Sequence, residues 1–134
     1  TLLLGTKKSG GARTAFPEEI EMDAIESLKQ RCKNIVIGYG QHDIAFGKTL
    51  PDVFAQKMKE LLVKFEDHPR VFGRSVHYNP LGDEKLMCPP MDNRNPAFID
   101  DYNNVMQQVY KEMGRPWIDT RWIDEPLWDS AVDW

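Results

Sequence analysis

The chain has 134 residues, 41% hydrophobic and 28% charged, a balance that fits one folded domain and excludes a disordered tail, a collagen or a coiled-coil rod. Lys and Arg number 17 against 21 Asp and Glu, and the net charge of −4 makes a poor general binder of nucleic acid, because phosphate neutralisation needs clustered cations. No apolar run approaches the roughly 20 residues that span a bilayer. No charged n-region followed by an apolar h-region marks a signal peptide, and a chain that starts at Thr1 reads as a fragment.

Leu2 to Leu4 form a short apolar run ended by Gly5, the pattern of a buried strand. A loop over 5–15 follows, with Gly5, Gly10 and Gly11 among the cations Lys7, Lys8 and Arg13. Pro17 then opens a helix, since its missing N–H is not needed in a first turn. Glu18, Glu19 and Glu21 complement the positive end of that helix, and Ile25, Leu28 and Cys32 form its apolar stripe.

Ile35-Val36-Ile37 is the clearest strand, β-branched and continuous as in a strand buried on both faces, and Gly38 and Gly40 end it. Pro51 and Asp52 start the next helix, whose buried face is Phe54, Met58, Leu61, Leu62 and Phe65, and Pro69 stops it. Val71 to Tyr78 is a second, less apolar strand, and a proline-rich loop runs from Asn79 to Asn95. Ile99, Tyr102, Val105, Met106, Val109, Tyr110 and Met113 then hold helical spacing up to a cap at Gly114. Pro116 to Thr120 makes a last short strand. Met22, Met58, Met106 and Met113 all fall on helical stripes and read as core.

The alternation of strands and helices predicts an α/β three-layer sandwich with a mainly parallel sheet. Strands are expected near 2–5, 34–39, 70–77 and 116–120, and helices near 18–32, 51–66 and 97–113.

Three segments could carry chemistry. Gly38-Tyr39-Gly40-Gln41-His42-Asp43 follows the best strand, and ligands of open α/β sheets bind beyond the carboxyl ends of strands. Glycines there let backbone N–H groups approach a substrate oxygen, and Gln41 or His42 could add a side-chain donor, as an oxyanion hole requires. The alternative is an ordinary polar loop with turn glycines. Asp129 and Asp133 lie four apart and would share a helix face, with helix capping by Asp129 or Ser130 as the simpler reading. The glycine- and lysine-rich loop over 5–11 lacks P-loop spacing and reads as solvated.

No metal or cofactor is expected: there is no C-x-x-C, and His42, His68 and His77 are not at ligand spacing. His68 at a helix end and His77 near a strand end read as structural. Cys32 and Cys88 are either two unpaired thiols or one disulfide.

On three blocks of residues the chain resembles the SGNH/GDSL hydrolase superfamily, in particular its eukaryotic PC-esterase-like members. NIVIGYGQHD, Asn34 to Asp43, is similar to the third block of that family, a strand followed by Gly-x-Asn-Asp. The stretch from Asn95 to Gly114, with Tyr102-Asn103, is similar to the helix before the last strand. LWDSAVDW, Leu127 to Trp134, is similar to the approach to the final Asp-x-x-His block. The resemblance covers residues 34–134.

The resemblance implies a flavodoxin-like sheet, incomplete at its N-terminal side, and 1–134 as part of an SGNH-like domain. It implies Gly40 and His42 in the oxyanion hole, Gln41 as an adjacent donor, and Asp133 as the triad acid. His42 stands where the family has Asn. No Gly-Asp-Ser occurs, since Gly82-Asp83 precedes Glu84, and the final histidine would fall two residues past Trp134. The implied activity is that of an esterase or acyl-transfer enzyme on an O-acylated carbohydrate or lipid, with a small-molecule or glycan ester as partner and a secretory or extracellular setting. This chain alone is expected to be inactive. A non-catalytic binding or structural module with the same fold is the competing expectation.

Overall fold

The computed structural model describes residues 22–38, 40, 43–44, 50–77 and 96–122. The predicted strand at 2–5, the start of the first helix at 18–21, and the segment 129–134 lie outside the described residues.

Helix α1 is Met22–Arg31, strand β1 is Ile35–Ile37, α2 is Pro51–Val63, β2 is Val71–Arg74, α3 is Pro96–Glu112 and β3 is Trp117–Ile118. The strands form one parallel sheet in the order β1-β2-β3. Ile35, Val36 and Ile37 pair with Val71, Phe72 and Gly73, and Gly73 and Arg74 pair with Trp117 and Ile118. Parallel neighbours need a crossover, and α2 and α3 supply the two crossovers. Successive right-handed crossovers in one direction put both helices on one face of the sheet. They do pack against each other, and α3 also lies on β2 and β3.

The core is one apolar cluster between that sheet face and the helices. Ile25 and Leu28 enter from α1; Phe54, Met58, Leu61 and Leu62 from α2; Ile99, Tyr102, Met106, Val109 and Tyr110 from α3; Ile35, Ile37 and Val71 from the strands. The α2 start at Pro51 and the stripe of α3 follow the sequence expectation.

Three expectations are corrected. The strands are shorter than predicted: β2 ends at Arg74, and two residues on, the Val76 N–H and C=O pair with the Asn103 side chain and not with a neighbouring strand. Val36 is 55% exposed, so β1 is not buried on both faces: Ile35 and Ile37 point into the core and Val36 away from it, as the two-residue period of a strand demands. On that second face the Arg70 guanidinium lies 5.9 Å from the centre of the Phe72 ring. Met22 is exposed and not core, since it begins α1 and its sulfur accepts from Lys64 Nζ.

Gly73 is a close-approach position. A Cβ there would stand 2.6 Å from Trp117 Cε3 and 2.7 Å from the Tyr110 ring. The two rings themselves lie 5.4 Å apart, so the missing side chain of Gly73 is what lets α3 and β3 meet over β2.

At the amino edge, α3 ends in a Schellman cap. Gly114 takes φ +68°, its N–H reaches Lys111 O, and the Arg115 N–H reaches Tyr110 O. The Arg115 guanidinium donates to Phe65 O at 2.9 Å and His68 O at 2.8 Å, holding the turn between α2 and β2. His68 is buried; its Nδ1 accepts from the Arg70 N–H, so its Nε2–H donates to Cys32 O at 2.9 Å. This histidine ties the start of β1 to the start of β2, the structural role expected for it. Cys32 carries a free thiol, and Cys88 lies outside the described residues.

Candidate functional site

The carboxyl ends of all three strands open on the same edge, where ligands of open α/β sheets bind. After β1 the chain reaches Gly40, which is buried and has φ +120°. Only glycine adopts that conformation without strain. A Cβ at Gly40 would stand 3.2 Å from Phe54 Cζ and 3.3 Å from Val76 Cγ2, so the backbone itself lies against those side chains. The Gly40 carbonyl accepts from the Ile44 N–H at 2.9 Å, which starts a helical turn at Asp43 and Ile44. No described residue accepts from the Gly40 N–H.

Two adjacent residues of α3 stand behind this turn. Tyr102 packs edge-on to Phe54, with ring centres 5.2 Å apart. Asn103 is fully buried and hydrogen-bonds both sides of one residue: its Oδ1 accepts from the Val76 N–H at 2.7 Å and its Nδ2 donates to Val76 O at 3.0 Å. Asn103 thereby pairs with the backbone just past the end of β2, where the sheet no longer does. Burial raises the Tyr102 phenol above its ordinary range, and the negative charge of Asp43 adds to that shift. Asp43 is itself buried.

Beyond β3 the edge is held by side chains. Ser75 is fully buried; its Oγ accepts from the Thr120 N–H at 2.8 Å and lies 2.9 Å from Thr120 Oγ1. Arg121 donates to Asp119 through Nε and Nη2, at 2.6–3.2 Å, and to Asp100 Oδ1 at 2.9 Å. The Arg121 guanidinium holds the Asp119 carboxyl below its usual range, against a smaller opposing effect of burial. In return Asp119, and then Asp100, raise Arg121 further above its own.

Of the expected site residues, Gly40 stands where the sequence placed it, at the carboxyl end of β1. Gln41, His42 and Asp133 lie outside the described residues. Among the described residues, no three His, Cys, Asp or Glu side chains converge as a metal site would need, and no helix is long and apolar enough to cross a membrane. Residue-level reading missed Asn103 and the Ser75–Thr120 pair. Asn103 had a signal, since it falls on the inner face of α3 between Ile99 and Met106, where a polar residue must find partners. Ser75 had none beyond its place at a strand end.

No family model matches the chain, and no curated protein matches it. Among solved structures it is similar to LAE5, an α/β hydrolase enzyme from the metagenome of Lake Arreo, Spain. The two are 13% identical with a TM-score of 0.54, over 79% of this chain and 54% of that one. The chain thus spans about half the length of that hydrolase. At this identity the likeness is one of fold: an open, parallel α/β sheet of the kind found in hydrolases.

Proposed function

We propose that the chain is part of an SGNH-type esterase or acyl-transfer enzyme acting on an O-acylated carbohydrate or lipid. The observation that carries this reading is Gly40: a glycine-only backbone turn, braced from behind, at the ligand-binding edge of the sheet. Acyl transfer places negative charge on the substrate carbonyl oxygen, and fixed N–H donors at that position stabilise it. In this reading the Gly40 N–H and His42 are those donors, with Gln41 beside them. Asp133 orients a histidine base, and both that base and the serine nucleophile lie outside these 134 residues. A neutral His42 can donate one hydrogen bond, as the family's Asn does, from a different geometry.

The chain by itself then performs no serine-hydrolase turnover. A nucleophile needs a base within hydrogen-bond reach. Ser75, the serine nearest the edge among the described residues, is buried and already engaged with Thr120. The test is the purified chain with a p-nitrophenyl ester and an activated-serine phosphonate probe. The expected result is no labelling, whereas stoichiometric modification of any one serine overturns the reading.

A second reading, a binding module without catalysis, is favoured by His42 standing where the family has Asn. The two separate on a longer version of the protein. Labelling of one serine there, with ester turnover, supports the enzyme. Reversible binding of an acetylated glycan without labelling supports the module.

A further inference from the structure

We infer that Asn103 is a positioning residue for the Gly40 turn, setting where its N–H points; the inference rests on the reading of that N–H as an oxyanion donor. The chain of contact is short. Asn103 fixes the Val76 backbone by two hydrogen bonds. The Val76 side chain lies against the Gly40 backbone. Tyr102 packs on Phe54, and Phe54 meets Gly40 beside Val76, on the same face of the glycine. Two consecutive residues of α3 therefore hold the two side chains against which the turn rests.

The geometry explains why an amide is used. Val76 lies past the last paired residues of β2, so its N–H and C=O have no sheet partner among the described residues. Buried peptide groups require partners. A carboxamide offers one acceptor and one donor at the spacing of a peptide group, and satisfies both at once. A purely apolar residue at 103 would fill the space but leave Val76 able to rotate, and Gly40 would follow. Asn103 touches no candidate reacting atom, so its effect on the site passes through Val76.

The test uses the whole chain and acetate as the probe, a carboxylate that mimics the oxyanion. Amide resonances are followed in 1H–15N correlation spectra. Asn103→Leu keeps the volume without adding charge and loses both bonds to the Val76 backbone; Asn103→Ala loses the bonds and the volume. Val109→Ala, a buried change on the same helix farther from Gly40, is the stability control. The expected result is a displaced Gly40 amide resonance in both Asn103 variants, with acetate binding weakened on the order of fivefold, and wild-type values in Val109→Ala. If the Asn103 variants keep the wild-type Gly40 resonance, or if Val109→Ala moves it as much, the inference is overturned. If acetate leaves the wild-type Gly40 resonance unmoved, the oxyanion reading fails instead. Positioning of Gly40 is then decided by the ligand-free spectra alone.

Discussion

Replacing Gly40 by alanine isolates how firmly the turn is held. Two separate effects add. The first is conformational: φ +120° lies well outside the left-handed helical region, and a non-glycine residue there costs about 2 kcal/mol. The second is steric: the new methyl group would meet Phe54 Cζ at 3.2 Å and Val76 Cγ2 at 3.3 Å. Phe54 cannot swing away without breaking its contact with Tyr102, and Asn103 fixes the Val76 backbone, so Val76 can yield only by turning its side chain out of its rotamer. Overpacking of that kind adds about 1 kcal/mol. Gly114→Ala is the internal reference. Gly114 also has positive φ, at +68°, but nothing lies within 4 Å of its missing Cβ. Its cost is conformational only, about 1 kcal/mol. Urea unfolding followed by far-ultraviolet circular dichroism should therefore place Gly40→Ala about 2 kcal/mol below Gly114→Ala, at unchanged slope. A Gly40→Ala loss no larger than that of Gly114→Ala would refute the claim that the turn is clamped.

Gly73→Ala should lower stability by about 3 kcal/mol in the same urea titration, since its methyl group would meet two aromatic rings at 2.6–2.7 Å; a loss under about 0.5 kcal/mol would show that Trp117 or Tyr110 moves aside freely. Asp119 has a depressed pKa in the folded chain, so its contribution is present above the unfolded carboxylate value near 3.9 and is lost as pH falls through the lower folded value. The stability difference between wild type and Asp119→Asn, measured by urea titration from pH 6 downward, should accordingly shrink below about pH 4; a difference independent of pH removes the Arg121 pairing as its source. Arg115→Ala should cost about 2 kcal/mol, because it strips charged donors from the carbonyls of Phe65 and His68 in the turn after α2. Thermal melts of that variant against Arg115→Lys would show whether the forked geometry or the charge alone matters.

The order of elements was legible because its signals are local. Pro51 starts α2, the stripe from Ile99 to Met113 defines α3, and Gly114 ends it where a positive φ is needed. Parallel pairing followed from the alternation of strand and helix. What the sequence hid depends on contacts across it. The run Ile35-Val36-Ile37 is equally apolar at all three positions, so nothing in it tells that Val36 faces away from the core. The role of Gly73 depends on Tyr110 and Trp117, 37 and 44 residues later. An isolated glycine inside a strand pattern signals close approach, but does not say by what. For the site, the sequence located Gly40 at the carboxyl edge. The braces behind it were not legible, because Asn103 and Val76 meet only once α3 lies on the sheet.

Arg115 belongs to two junctions at once. Its backbone N–H completes the cap of α3, and its side chain holds the turn that leads from α2 to β2. A chain that ties both crossovers through one residue has little slack between Gly114 and Pro116. A residue inserted there would shift the guanidinium away from Phe65 and His68 and change the phase at which Pro116 O meets the Gly73 N–H. Engineering by insertion is therefore blocked at this edge of the sheet.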